Sequence, residues 1–395
     1  MADPDSPRPG SHALPQVFSS SPPSRRRRPR ARTVFLLAGT ALLAAGFGAA
    51  QLVSNLGYDD ASAQFRQQAR ATEETATTVR AAMEELDAAT SSATQLAEGD
   101  TTLIDPATAD SVASAVVAAQ SVSDDTGDLL TTGIPRVGEK PGWFWELFAA
   151  ADRLSSDRAE TAQLQDDLDA QSPRVAEADT EVADAGLALL ATAAEAATGF
   201  EASHISARND AVIALRAAAA DVASAAEVDE TAVTDLRALQ SAAAQVVSTE
   251  QEELAEKAGP LLDSRLEVEA FARSLAPGVL LEFDWSPMVS GAGDGGSMGG
   301  LTTWWWDSPG RAVIELSNSV AERWPSISSK ALVAHEVGHA ISVKCEDMYD
   351  SSTQDSIEKW ATAWAISMGY TDDANGVWAY GYPPQSYIDA AAGCR

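Results

Sequence analysis

Five consecutive residues, His335-Glu336-Val337-Gly338-His339, are the stretch of this chain best suited to chemistry. Side chains four apart on a helix share a face. His335 and His339 therefore bring two imidazole nitrogens to one point, as a tetrahedral Zn²⁺ ion requires. Glu336 projects beside that point, placed to take a proton from a water held there. The surroundings favour a helix: Leu332, Val333, Ile341 and Val343 are apolar, and Ser328 or Ser329 is a suitable N-cap. Gly338 costs about 1 kcal/mol in a helix interior, and close approach of another backbone explains it.

A third ligand must come from elsewhere. The four histidines are His12, His204, His335 and His339, and none follows His339. His204 lies in a helical region and carries no assigned role. The remaining ligand types are Asp, Glu and Cys. Glu358 is favoured, on a predicted helix over 353–368 capped by Ser352, with Asp355 three residues on. A second helix crossing the first presents one carboxylate to two histidines. Asp350 and Asp355 are the fall-back ligands, while Glu346 and Asp347 lie too far along the first helix. Cys345 and Cys394 are the two cysteines. In an exported chain they read as a disulfide tying the tail to the end of the histidine helix. A zinc site using both with His339 is disfavoured, because Cys345 is off the histidine face.

The His-Glu-x-x-His run is the pattern of zinc-dependent peptidases. Followed after eighteen residues by Glu358, it resembles the gluzincin branch of the zincin metallopeptidases over about the last 130 residues. The resemblance implies His335, His339 and Glu358 as zinc ligands and Glu336 as general base. Many gluzincins place an acidic residue four positions after the ligand Glu, behind a ligand histidine. Here that position is Thr362, whose hydroxyl supports an imidazole more weakly than a carboxylate does.

These residues need a scaffold. Eight of the ten Trp lie between Trp285 and Trp378, and five of the six Tyr follow Trp285, so an aromatic core is expected there. The terminal domain, 263–395, reads as α+β and zincin-like: helix 264–275, strands 279–285, 301–306 and 311–317, the histidine helix 327–344, the ligand helix 353–368 and a last helix 383–392. The Gly-rich run 290–300 lacks the Gly-Lys-Ser/Thr ending of a phosphate cradle and reads as a flexible hairpin or gating loop. Trp304, Trp305 and Trp306 should alternate across a strand, one face core, with Trp305 or its neighbours open to a substrate groove. Tyr380, Tyr382 and Tyr387 are candidates to stabilise an oxyanion. A peptide or exported protein substrate is expected as an added strand along 311–316.

Residues 57–262 are rich in Ala, Thr, Asp and Glu, which favours helix. Helices are expected over 59–98, 106–130, 145–170, 173–226 and 230–258, with Ser172-Pro173 as a helix start. A mostly alanine stripe points to an all-α bundle or coiled-coil stalk with capacity for self-association. Trp143 and Trp145 either pack a loop on that bundle, the favoured reading, or touch a membrane surface.

The formal charge of −31 argues against nucleic acid, although residues 1–32 carry seven Arg and two Asp, +5. That segment reads as a disordered basic cytoplasmic tail. It abuts an apolar run, so 33–54 reads as a single transmembrane helix in a lipid bilayer, with everything after it outside the cell. The rival is a cleaved signal peptide, which makes the protein secreted. The function expected is a membrane-anchored extracellular zinc peptidase. The alternative is a helical sensor or spacer bearing a catalytically degenerate zincin module.

Overall fold

The computed structural model describes residues 31–395, with side chains from residue 44 onward. The tail expected over 1–32 lies almost wholly outside the described residues, and of the span expected over 33–54 the side chains before residue 44 do. Among the described residues, no helix is long and apolar enough to cross a membrane.

The chain is mostly helical with one small sheet. Helices α1 (Ala31–Ala97), α2 (Pro106–Leu130), α3 (Phe144–Ser203), α4 (Asn209–Ala223) and α5 (Glu230–Glu256) precede α6 (Leu262–Leu275), β1 (Leu280–Ser286), β2 (Gly300–Trp304) and β3 (Arg311–Ser317). Then come α7 (Asn318–Glu322), α8 (Ile327–Ser342), α9 (Gln354–Ser367), α10 (Val377–Tyr380) and α11 (Gln385–Ala391), with short 3₁₀ turns at Val343–Met348 and Asp373–Asn375. The described residues fall into two compact units. One holds residues up to Thr72 with Ile134–Gln163, and the other holds Glu73–Gly133 with Leu164–Arg395.

In the first unit a small core joins Tyr58 and Phe65 of α1 to Leu147, Ala150 and Leu154 of α3. In the second, two separate cores divide near residue 262, one helical and one centred on the sheet and α8. The helical core is not an alanine stripe: Leu86, Leu96, Leu189, Leu190, Leu215 and Leu236 are among its fully buried side chains. Pro173 does not start a helix either. It lies inside α3, because Leu168, Val175, Ala178 and Val182 bury one continuous stripe across it. The break comes instead at residues 204–208, where His204 stacks on Phe200 at 4.3 Å and its Nδ1 meets the Phe200 carbonyl at 2.8 Å.

The helical part is bolted to the sheet rather than strung from it. The Asn209 backbone N–H donates to Glu282 on β1 at 2.8 Å, and its side-chain amide donates to the Ala312 carbonyl on β3 at 3.0 Å. Between α5 and α6, Lys257 is buried, with its Nζ 3.1 Å from both Glu253 and Glu269. Arg208 reaches Glu253 at 2.8 Å, while Trp285 Nε1 donates to Glu269 at 3.1 Å.

The sheet order is β1-β3-β2, with β1 parallel and β2 antiparallel to β3. Two expectations change. The Gly-rich loop does not join paired strands, since β3 lies between β1 and β2, although Val289 and Ala292 close a tight antiparallel turn at its start; the strand hairpin is the one joining β2 to β3. A substrate also cannot add along 311–316, because β3 is paired on both sides. The edge strands are β1 and β2, and β2 is the one that crosses α8. The predicted second strand, 301–306, ends at Trp304, leaving Trp305 against the Arg311 guanidinium at 4.4 Å and Trp306 exposed.

Cys345 and Cys394 form a disulfide with Cα atoms 6.0 Å apart, 49 residues apart in sequence. Trp364 Nε1 donates to the Cys394 carbonyl, so the tail is fastened twice beside α8 and α9. In the chain-entropy picture, a loop of this length is worth about 4 kcal/mol. Cys394→Ser should therefore lower the urea midpoint of the protein, and reduction should do the same to the wild type but nothing further to the variant.

Candidate metal centre

Helix α8 begins at Ser326, whose hydroxyl accepts the Ser329 N–H at 3.1 Å, two to three residues before the caps expected. Every residue from Ala331 to Ser342 is buried, so both faces of this stretch pack. Helix α9 is capped by Thr353 rather than Ser352. The two helices cross at Gly338, where an added Cβ would stand 2.8 Å from the Ala361 carbonyl oxygen. This is the backbone approach the glycine implied, and it brings Glu358 over the histidine face.

His335 Nε2, His339 Nε2 and Glu358 Oε2 converge: 3.2 Å between the imidazoles, and 3.2 and 3.1 Å from each to the carboxylate. A tetrahedral site with ligand bonds near 2.05 Å has edges of about 3.3 Å. The three residues are buried and are the one group among the described residues able to hold a metal ion. The Thr362 hydroxyl donates its single proton to the Glu358 carbonyl at 2.9 Å. Towards His335 Nδ1, 3.3 Å away, it therefore accepts. His335 thus carries its proton on Nδ1 and turns an Nε2 lone pair to the centre. Burial alone pushes the Glu358 carboxyl up, but the two imidazoles against it outweigh burial and hold it well below the ordinary range. The centre is a place that favours positive charge, and the donor set fits a zinc ion.

Glu336 lies beneath β2. Thr302 Oγ1 donates to Glu336 Oε2 at 2.7 Å and stands 3.0 Å from the Glu336 carbonyl. At Gly300 an added Cβ would stand 2.7 Å from Glu336 Cδ, so a larger residue there would push the carboxylate aside. Burial raises the Glu336 carboxyl above its usual range, against the opposing pull of His335 and of the Thr302 hydrogen bond. A carboxylate shifted that way is a stronger base.

The tyrosine candidates separate. Tyr380 stacks on His335 with ring centroids 6.0 Å apart. Burial, then the Glu358 and Glu336 carboxylates, raise its phenol above the usual range, so it stays a hydrogen-bond donor. Tyr387 is turned away, its hydroxyl 2.7 Å from Ser356, and Tyr382 is 66% exposed. Asp350 holds the Ser352 N–H and Asp355 pairs with Lys359, so neither fall-back ligand is at the centre.

Three residues contribute in ways the sequence reading did not assign. Trp304 stacks flat on His339, centroids 5.3 Å apart and 9° between planes. Thr302 sits two residues earlier on the same face of β2; strand alternation pairs the two once the strand is placed. Gly376, at φ +104°, puts its backbone where a Cβ would come within 2.7 Å of His335 Nδ1. Its signal was the Asp372-x-x-Asn375-Gly376 turn. His339 Nδ1 is buried and has no hydrogen-bond partner among the described residues. Comparison of the chain with family models, with curated proteins and with solved structures found no match.

Proposed function

We propose that the C-terminal part of this chain is a zinc-dependent peptidase of the gluzincin kind. The observation that carries the reading is the convergence of His335 Nε2, His339 Nε2 and Glu358 Oε2 within 3.2 Å, beside a buried Glu336. Zinc held there supplies Lewis-acid activation of a water and of the scissile carbonyl. Glu336 takes the proton from the attacking water and returns it to the leaving amine. Thr302 fixes the carboxylate of that base through one oxygen. Thr362 and Gly376 set the His335 ring; Trp304 sets that of His339. Tyr380 is placed to donate to the developing oxyanion. The open edge of β2 is suited to receive an extended peptide, with the polypeptide backbone as the recognised element. Residues 33–54, behind the arginine cluster, would anchor the protein in a bilayer with this site outside the cell.

A second reading is a zincin module that binds without cutting. Thr362 stands where a carboxylate would back His335 more firmly, and His339 Nδ1 has no such support. Metal analysis with peptide-library cleavage separates the two. A peptidase should hold about one zinc per chain, cut peptides, stop with chelator and resume on zinc addition. Bound zinc with no cleavage of any peptide would favour the binding module instead.

A further inference from the structure

We propose that Phe47, Trp143, Trp145 and Phe148 form a surface that seats the turn before α3 in the headgroup layer of a lipid bilayer. These side chains are 58, 60, 52 and 46% exposed, although such large apolar groups usually find cover. They are not loose. Trp143 and Trp145 stack at 5.2 Å, and Phe144 meets Phe47 and Trp145 edge-on at 5.8 and 5.0 Å. The turn is held to α1 by Gln51, whose amide donates to the Gly142 carbonyl at 3.1 Å, and by Lys140, paired with Asp59 at 2.6 Å. Phe47, Gln51, Trp143 and Phe144 line an open cleft of about 540 Å³.

The occupant follows from where the patch lies on the chain. It begins inside the last turns of the apolar run Val34–Val53, and Leu52, Val53 and Leu56 beside it are about 60% exposed. Helical rise places Phe47 about 9 Å along the axis from Val53, and Gln51 about 3 Å. With 33–54 spanning a bilayer, Gln51 lies at the edge of the hydrocarbon and Phe47 about 9 Å inside it, so the turn they hold sits where headgroups meet acyl chains, the depth at which amphipathic indoles are favoured. This inference rests on the anchor reading given above and adds to it a second, independent contact with lipid.

The test uses the full chain in lipid nanodiscs whose phosphatidylcholine carries brominated acyl chains, which quench nearby tryptophans. The other eight Trp lie at or beyond Trp285. Relative to unbrominated discs, wild-type emission should fall by up to about a fifth, the share of Trp143 and Trp145 among ten. W143F/W145F should lose that quenching, and each single variant should lose about half of it. Equal quenching in wild type and double variant, with protein still in the discs, overturns the surface alone. Crosslinking of Trp143-side residues between two copies, without bromine quenching, assigns the patch to self-association and also overturns it. Protein that does not stay with the discs overturns the anchor and this surface together.

Discussion

Glu336→Gln should abolish peptide cleavage while leaving the metal bound. Glutamine keeps the length and shape of the side chain, and its amide can still meet the Thr302 hydroxyl, so the 2.7 Å contact that orients the group survives in some form. It cannot accept a proton and return it. Loss of a general base typically costs 10²–10⁴-fold, roughly 3–5 kcal/mol of transition-state stabilisation. His335→Ala and Glu358→Ala should behave differently, since each takes one atom from a set of three held within 3.2 Å. Bound zinc and activity should fall together in both. The signature is therefore two classes of dead enzyme, told apart by elemental analysis. Normal cleavage by Glu336→Gln would refute the proposed role of the base, and full zinc retention by Glu358→Ala would refute the ligand set.

The second large effect is on stability. Lys257→Met should destabilise the protein by about 3 kcal/mol, because it leaves Glu253 and Glu269 facing each other without the cation between them. The lower end of the usual range for a broken buried pair applies. Glu253 keeps Arg208, and Glu269 keeps Arg273 and the Trp285 N–H. In a unit of nearly 300 residues, at about 1.5 °C per kcal/mol, the melting temperature should drop by about 5 °C. Converting Glu253 and Glu269 to Gln in the same chain should restore much of the loss, since the cost is unpaired charge and not a missing contact. A triple variant no more stable than Lys257→Met would sink this account.

The convergence of His335, His339 and Glu358 was legible because it depends on helical spacing and on a short inventory. Two histidines four apart fix a face, and with no later histidine the choice narrows to a few carboxylates. Gly338 was readable for the same reason: a glycine deep in an apolar helix needs a neighbour close by. What was not legible came from pairing between strands. Nothing local in Arg311–Ser317 says that it is central, so an open edge was expected at β3, whereas the edge strands are β1 and β2. Thr302 and Trp304 were hidden by that error, since their roles exist only once β2 crosses α8. Pro173 misled for a related reason. A proline is a local signal for a helix start, and here the buried stripe from Leu168 to Val182 overrides it.

The small core of Tyr58, Phe65, Leu147, Ala150 and Leu154 has a bearing on the order of synthesis. Its hydrogen bonds join residues 80 to 94 apart, as in Tyr58 to Gly138, Thr72 to Thr161 and Gln64 to Arg158. While the chain is being made at about 5–20 residues per second, this part of α1 waits roughly 5–20 seconds for its partner helix. During that interval Tyr58 and Phe65 have no permanent cover. A chaperone that engages the nascent chain should therefore bind it most strongly when synthesis has passed Phe65 but not yet reached Leu154. A stalled chain ending between those points should be its best client.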